Sequence, residues 1–254
     1  MTPEEFSGLH CPGRPFLLGN AWDASSARAA EAVGLPAIGT SSAAIAETLG
    51  LCDGNGIQFD HLLPIIRTIQ CSVALPVSVD IEAGYSNDPR QIAAHILTLD
   101  EMGVVGINIE DSIVDPTRRL RSVEDFSSLL KAIRQQLDEA GCRLFVNVRT
   151  DPFVLGLANA LEETLERARS FTDAGADGFF VPGLAAPKQI EQVVKATGLP
   201  VNVMAVPGLP PIDELGRLGV ARISLGNAVH AMLSRMTENL LRQIQHSGRF
   251  DHVF

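Results

Sequence analysis

Short apolar segments alternate with longer amphipathic ones along the whole chain. The short segments are rich in Val, Ile, Leu or Phe, and cover residues 16–19, 37–39, 76–80, 105–110, 144–149, 178–181, 200–203 and 222–225. The segments between them carry apolar residues at helical spacing, for example over residues 23–33, 88–102, 123–140, 160–174, 187–197 and 212–218. This pattern is typical of strands buried on both faces that alternate with amphipathic helices.

Glycine positions support a parallel arrangement of these strands. Five of the helical segments end at a glycine that is followed directly by the next apolar segment, as at Gly103 and Gly198. Repeated helix-to-strand turns of this kind predict a parallel sheet, and eight such units close into a (β/α)8 barrel. An open doubly wound sheet is disfavoured because no GxGxxG motif follows the first strand. We therefore predict an α/β TIM barrel with one domain spanning residues 1–254.

Three stretches exceed what a minimal barrel requires. Residues 50–56 and 112–122 follow the second and fourth strands, and so lie on the face where TIM barrels carry their active sites. The last helical stretch, residues 228–246, is long and has a row of apolar positions. Two interpretations stay open for it: exchange between subunits, or a cover for the bottom of the barrel in a monomer.

Composition limits the class of partner and the cellular location. The 254 residues include 20 basic and 30 acidic side chains, for a net charge of −10, and 46% are hydrophobic. Disorder is thereby excluded, and nucleic acid or an anionic membrane is disfavoured as a partner. The four cysteines form no CxxC pair, and no signal-peptide-like or membrane-length apolar run is present. We expect a cytoplasmic protein.

Carboxylates cluster at the predicted strand ends. Asp80 and Glu82 end the third strand two residues apart, and Glu110 ends the fourth. Like charges at one barrel mouth repel unless a cation lies between them, and a hard divalent ion such as Mg²⁺ is the simplest solution. Asp53 is a candidate for the outer shell, although it also suits a turn before Gly54. For Asp111 we favour a surface acid at a helix start.

Two further strand ends suit an anionic substrate. Ser41, Ser42 and Ala43 combine small hydroxyl side chains with exposed backbone N–H groups, although they equally suit a helix N-cap. Arg149 ends the fifth strand, where an unpaired guanidinium would be costly, so we expect it to meet carboxylates or an anionic substrate. No lysine ends a strand, which disfavours Schiff-base chemistry.

Taken together, the strand-end motifs resemble the isocitrate lyase/phosphoenolpyruvate mutase superfamily over about residues 16–226. The motifs are NAWD at 20–23, GTSSA at 39–43, DIEAGY at 80–85, NIED at 108–111, NVRTD at 147–151 and NVMA at 202–205. The resemblance implies bond cleavage or formation next to a 2-oxo acid, through an enolate held on Mg²⁺. Family members commonly form tetramers by exchanging C-terminal helices, so it also implies a homo-oligomer, either dimer or tetramer.

The resemblance also assigns roles to residues. It implies that Asp80 is the direct ligand of Mg²⁺ or Mn²⁺, with Asp53, Glu82 and Glu110 holding its waters. Asp80 then also binds the substrate, whose carboxylate is held by Ser41, Ser42 and Ala43 and whose enolate oxygen is held by Arg149. Our catalytic candidates are Arg149, Glu110 and Tyr85. Tyr85 is a weak candidate proton donor that we more readily expect to pack against its loop.

The chain departs from the family pattern around the leaving group. The segment after Glu110 lacks the Lys-[Lys/Arg]-Cys-Gly-His motif of the lyases and the loop Lys and Asn of the mutase. Three arginines of this segment, Arg118, Arg119 and Arg121, are candidates to meet a distal anion of the substrate. We slightly favour the alternative that they are solvated.

These observations predict a Mg²⁺-dependent lyase that cleaves a carbon–carbon bond in a small 2-oxo or 2-hydroxy carboxylic acid. One alternative is a mutase or hydrolase acting on the P–C bond of a phosphonopyruvate-like compound, which the missing loop lysine disfavours. The other is a non-catalytic carboxylate-binding barrel that kept the metal site and lost the proton donor.

Overall fold

The computed structural model describes residues 1–54, 56–114, 117–251 and 253. Eight parallel strands close into a barrel in the order β1-β10-β9-β8-β7-β4-β3-β2. Their bounds are β1 Phe16–Ala21, β2 Ile38–Thr40, β3 Val77–Asp80, β4 Gly106–Glu110, β7 Phe145–Arg149, β8 Gly178–Val181, β9 Val201–Met204 and β10 Arg222–Ser224. The predicted TIM barrel is confirmed.

Helices surround the barrel, and each strand leads into at least one of them. They are α1 Pro3–Ser7, α2 Ala24–Ala32, α3 Ser42–Thr48, α4 Phe59–Gln70, α5 Pro89–Glu101, α6 Val123–Glu139, α7 Ala160–Asp173, α8 Pro187–Ala196, α9 Ile212–Arg217 and α10 Ala228–Ser247. Their apolar faces pack on the strands in one large core, which includes Ile66, Ile96, Phe171 and Val193. The amphipathic spacing read from the sequence thus reflects burial against the barrel wall.

The glycine turns mostly follow the prediction, with one exception. Gly103 follows α5 with φ 82°, the left-handed conformation that ends a helix. Three of the other four predicted turns also have glycine at positive φ. The exception is the turn after α8, where Thr197 is extended and its hydroxyl accepts the Leu199 N–H at 3.2 Å. There a side chain takes over the role predicted for Gly198.

The insertion after β4 forms an antiparallel hairpin that the apolar pattern did not predict. Strand β5, Ser112–Val114, pairs with β6, Arg118–Leu120, with Ser112 opposite Leu120. The hairpin leaves the barrel at the end of β4 and therefore lies at the mouth. Within the two inserted segments, Asp115 and Pro116 of 112–122 and Asn55 of 50–56 lie outside the described residues.

The opposite end of the barrel, its base, is closed by aromatic side chains. Phe6 on α1 is fully buried and makes edge-to-face contacts with Phe16 and Phe145. The His10 ring stacks on Phe145 with 4.0 Å between centroids. Burial and the nearby Arg222 guanidinium lower the pKa of His10 to about 3, so its imidazole is neutral. The base is therefore an uncharged plug.

A polar layer lies inside the barrel among the strands. The Asn147 amide donates to Asn108 at 2.9 Å and to Asn202 at 3.1 Å. Arg222 on β10 is 1% exposed and donates to the Asn108 amide oxygen at 3.3 Å. Its Nε and Nη1 atoms have no hydrogen-bond partner among the described residues. Burial lowers the pKa of Arg222 to about 9, against the opposing attraction of Asp80.

The long helix α10 does not cover the base, so that interpretation of residues 228–246 is wrong. Each of its 20 residues, all within the described part of the chain, is at least partly exposed, and Met232, Met236 and Leu241 are more than half exposed. The helix instead begins directly after β10, on the mouth side, because β10 ends there. Among the described residues, no helix is long and apolar enough to span a membrane.

Candidate active site

The parallel register brings the predicted acidic and basic residues to one mouth. Asp80 ends β3 opposite Asn108, and Glu110 ends β4 opposite Arg149 of β7. This register places the Arg149 Nη1 atom 3.0 Å from the Glu110 Oε2 atom. The expectation that Arg149 meets carboxylates is therefore matched by the structure.

Asp80 is held by hydrogen bonds, and no cation among the described residues forms an ion pair with it. The Ser42 hydroxyl donates to its Oδ2 atom at 2.8 Å, and the Glu82 N–H reaches its Oδ1 atom at 3.3 Å. Its own N–H donates to the Thr40 hydroxyl at 2.9 Å. Burial raises the pKa of Asp80, while Arg149 opposes that shift. The carboxylate is thus fixed in place and short of positive charge.

The loop after β3 holds two non-glycine residues in a left-handed conformation. Glu82 has φ 50° and Tyr85 has φ 59°. Such backbone is uncommon outside glycine and is found disproportionately at functional sites. The Glu82 Oε1 atom is buried without a hydrogen-bond partner among the described residues. Burial, followed by the charges of Asp80, Asp53 and Glu110, raises the pKa of Glu82 to about 8.

Arg149 is oriented by two acids at once. Its Nε and Nη2 atoms donate to Asp151 at 2.7 and 3.0 Å, in the two-point geometry that fixes a guanidinium plane. Glu110 accepts from the third nitrogen. Burial raises the pKa of Glu110 to about 7, although Arg149 opposes the shift. Asp151 belongs to the NVRTD motif, but the sequence predicted no role for it, and the structure shows that it orients Arg149.

Arg118 is not solvated, contrary to the interpretation favoured from sequence. It is 18% exposed and pairs with Glu110, with Asp151 at 3.1 Å and with Asp53 at 3.2 Å. Antiparallel pairing of β6 with β5 brings Arg118 to the mouth, and composition did not reveal this pairing. Of its two neighbours, Arg119 is exposed, and Arg121 donates to the Asn87 amide oxygen at 2.5 Å.

Asp111 also differs from expectation, since it is buried rather than on the surface. Its carboxylate is fully buried, accepts from Thr150 at 2.5 Å and pairs with Arg167 of α7 at 2.9 Å. Successive residues of a strand point to opposite faces, so Glu110 faces the mouth while Asp111 faces the helix layer. The alternation along β4 was the sequence signal that could have revealed this difference.

Ser41, Ser42 and Ala43 lie beside Asp80 at the start of α3. Ser41 is the N-cap, and its hydroxyl accepts the Ala44 N–H at 3.3 Å, as one of the two interpretations stated. Ser42 contacts Asp80 through its hydroxyl. The N–H groups of Ser42 and Ala43 belong to the first turn, where a helix has no internal acceptors for them.

Tyr85 borders a cavity of about 720 Å³ that is also lined by Glu82, Glu110, Ser112 and Arg121. The hydroxyl of Tyr85 is buried and has no well-formed hydrogen bond to the described residues. Burial and then the charge of Glu82 raise the pKa of this phenol. Tyr85 therefore keeps its proton.

The acids suit a hard cation that keeps most of its waters. Within the described residues, no three His, Cys, Asp or Glu side chains are close enough to form a complete cage for a metal. Asp80 and Glu82 nevertheless lack ion-pair partners, and Glu82 has the unpartnered buried oxygen described above. Oxygen ligands of this kind, with one direct contact and the rest through water, are what Mg²⁺ prefers.

Comparison with known proteins gives consistent matches along most of the chain. The sequence pattern of the phosphoenolpyruvate phosphomutase family matches residues 6–245. A protein of Mycobacterium tuberculosis (strain ATCC 25618 / H37Rv), itself uncharacterized, is 38% identical over 233 residues, covering 89% of this chain and 83% of its own. The oxaloacetate decarboxylase of Bradyrhizobium sp. (strain BTAi1 / ATCC BAA-1182) is 29% identical over 229 residues, covering 87% of this chain and 76% of that protein.

A solved structure matches the whole architecture. The crystal structure of a protein from Burkholderia cenocepacia J2315, provisionally named a phosphonomutase, superposes with a TM-score of 0.89 at 38% identity. The match covers 95% of this chain and 99% of that one.

Proposed function

The chain belongs to the phosphoenolpyruvate phosphomutase family, and on this premise we propose that it is a Mg²⁺-dependent lyase that cleaves a carbon–carbon bond in a small 2-oxo or 2-hydroxy carboxylic acid. Membership confirms the resemblance to the superfamily shared with isocitrate lyase and makes the chain an enzyme of the carbon–carbon lyase and mutase type. One observation carries the finer proposal: two carboxylates that form no ion pair with any described residue, Asp80 and Glu82, share a mouth with the oriented guanidinium of Arg149.

The acids of the mouth have two roles in this proposal: they hold the metal, and they orient Arg149. When bound, Mg²⁺ or Mn²⁺ supplies Lewis-acid stabilisation of negative charge, with Asp80 as its direct ligand and Asp53, Glu82 and Glu110 as acceptors for its waters. Asp151 and Glu110 hold Arg149 ready before the substrate arrives, so no reorganisation is needed during the reaction.

The chain's own groups then account for binding and for charge stabilisation. The first-turn N–H groups of Ser42 and Ala43, together with the Ser41 hydroxyl, bind the substrate carboxylate. With a 2-oxo acid such as oxaloacetate, Arg149 donates to the carbonyl oxygen that becomes negative when the electrons of the broken bond move onto the 2-oxo acid fragment and the other carbon leaves as carbon dioxide. Tyr85 retains its phenol proton at neutral pH and is our candidate to return a proton to that fragment.

Substrate turnover tests the proposal directly. The protein is incubated with Mg²⁺ and a panel of 2-oxo and 2-hydroxy acids, and pyruvate or glyoxylate is detected with a coupled dehydrogenase. Oxaloacetate comes first in the panel because a 29% identical relative is an oxaloacetate decarboxylase. Turnover by the wild type that is lost in Asp80→Asn would support the proposal.

Other outcomes would point to the alternatives. Turnover of phosphonopyruvate alone would replace the proposal with P–C chemistry, in line with the provisional name of the Burkholderia cenocepacia protein. Oxalate that raises the melting temperature with Mg²⁺, without turnover of any panel member, would favour a carboxylate-binding barrel. No response to oxalate and Mg²⁺ would contradict the metal site itself.

We further propose that the protein is a homo-oligomer, a dimer or tetramer. The apolar residues of α10 that face solvent, among them Met232, Leu233 and Met236, support this assembly. Contiguous exposed apolar residues usually mark a surface that binds another protein chain. The mass in solution, measured by light scattering, tests it. A small carboxylate as the substrate and a cytoplasmic location complete the proposal.

A further inference from the structure

Arg118 is the most heavily engaged cation of the mouth. Its guanidinium pairs with Asp53, Glu110 and Asp151, and it also donates to the Ser112 hydroxyl at 2.9 Å. The Glu110 and Asp151 side chains are 3% and 0% exposed, whereas Asp53 is 44% exposed. The strong contacts are therefore the two inner ones, and the contact with Asp53 is a screened pair at the rim.

The charges of the mouth are unevenly matched. Among the described residues, two guanidiniums, Arg118 and Arg149, form ion pairs there with Asp53, Glu110 and Asp151. Within that same part of the chain, Asp80 and Glu82 form no ion pair. Arg118 thus occupies acids on one side of the mouth, and the side beside β3 is left for another cation.

We infer that Arg118 is a built-in competitor of the divalent cation and sets the affinity of the mouth for it. This inference rests on the proposed function, because Asp53 and Glu110 are also the proposed acceptors for the waters of the metal. Each of these two acids is shared between Arg118 and the metal. Arg118 is a positioning residue here, since it acts on the metal site through the acids and not on the substrate.

Electrostatics gives the direction of the effect. A divalent cation beside Asp80 repels the Arg118 guanidinium and draws on the same carboxylates, so each weakens the binding of the other. Arg118 keeps Asp151 as a partner when its contacts with Asp53 and Glu110 weaken. Removing the Arg118 charge should therefore tighten metal binding, whereas removing an ordinary metal-site residue would weaken it.

The experiment is calorimetric titration of the full-length protein with Mg²⁺ alone, and with Mn²⁺ in a second series. We expect Arg118→Met to bind the metal about 10-fold more tightly than wild type. Arg119→Met is the matched control, because it removes the same charge from the same hairpin at an exposed residue. It should stay within about 2-fold of wild type, since exposed charges are screened.

A charge-preserving variant separates electrostatics from packing. Arg118→Lys keeps the positive charge, so its affinity should lie nearer to wild type than to Arg118→Met. If Arg118→Met does not fold, Arg118→Gln takes its place, because the amide is a polar hydrogen-bond donor that carries no charge. The same tightening is expected.

The outcomes distinguish this inference from the function on which it rests. Equal or weaker metal binding by the uncharged variants would overturn the competitor role and leave the proposed function standing. Absence of Mg²⁺ and Mn²⁺ binding in every protein, wild type included, would overturn both. Tightening confined to the uncharged variants of Arg118 would establish the competition.

Discussion

The two ends of the barrel are built from the same eight strands and are chemically opposite. At the base, Phe6, Phe16 and Phe145 enclose the neutral ring of His10. At the mouth, buried acids and arginines are held in ion pairs, and Asp80 and Glu82 are left over. On the proposed function, this difference is a division of labour in which the base contributes stability and the mouth holds uncompensated charge for the reaction.

Removal of the Asp80 carboxylate should have the largest effect on activity. We expect Asp80→Ala to lower kcat by about 10³-fold or more, because it deletes the proposed direct metal ligand. The free energy of unfolding should change little, since a buried carboxylate with a raised pKa is itself costly. The coupled dehydrogenase assay and urea unfolding measure the two quantities.

Asp213→Ala, at an exposed acid on α9, is the control for that loss of activity. It should retain wild-type kcat. A decrease of less than about 10-fold in Asp80→Ala would show that chemistry does not centre on the mouth carboxylates.

The base should respond in the opposite way. Phe6→Ala removes a fully buried aromatic ring from the plug and should lower the free energy of unfolding by about 3–5 kcal/mol. The kcat of the folded protein should stay within about 2-fold of wild type. Phe250→Ala, at a phenylalanine that is 67% exposed, should alter stability by less than about 0.5 kcal/mol. A large loss of kcat in Phe6→Ala would contradict the division of labour.

The sequence predicted the barrel well because a strand that is buried on both faces shows this in the apolar residues of its own segment. Strand β8, with the sequence GFFV, is a continuous apolar run, and its position needed no knowledge of its neighbours. The strand-end residues Asp80, Glu110 and Arg149 followed from the same logic, because parallel strands deliver their ends to one face. The hairpin of β5 and β6 was missed because its charged residues lack a strand-like apolar pattern.

The sequence could not show which acidic residue pairs with which arginine. Asp111 and Arg167 are 56 residues apart and meet only because β4 pairs with β7, the strand that leads into α7. Arg118 reaches Asp53 across 65 residues, and only because β6 pairs with β5 at the mouth. In both cases the residue type was visible and its partner was not. An arginine near a strand end can therefore pair with a buried acid that is distant in sequence.

His10 gives the base a pH dependence of its own. Its pKa is about 3 in the folded protein and about 6.5 when exposed, so the unfolded chain binds a proton that the folded chain does not. Its stabilising effect is complete above pH 6.5 and is lost as the pH falls towards 3. His10→Phe keeps the aromatic plug without a titrating group. Between pH 7.5 and 5, it should lose about 2 kcal/mol less stability than wild type.

Urea unfolding at the two pH values measures this difference. His246→Phe is a useful control, because His246 is exposed on α10 and should leave the pH dependence as it is. Identical pH dependence in His10→Phe and wild type would mean that His10 is not held neutral by the plug.

Arg222 lies between the two ends of the barrel, and its replacement should have the smallest effect. The result shows to which end this residue belongs. It is a buried cation with two unpartnered nitrogen atoms among the described residues, and burial lowers its pKa to about 9. Replacing such a group with an apolar side chain of similar size is often stabilising. We expect Arg222→Met to raise the free energy of unfolding by about 1 kcal/mol, whereas Arg217→Met at an exposed site should leave it unchanged.

A loss of stability instead would place Arg222 with the base, as part of the packed scaffold. A gain in stability accompanied by a fall in kcat would place it with the mouth, through its attraction to Asp80.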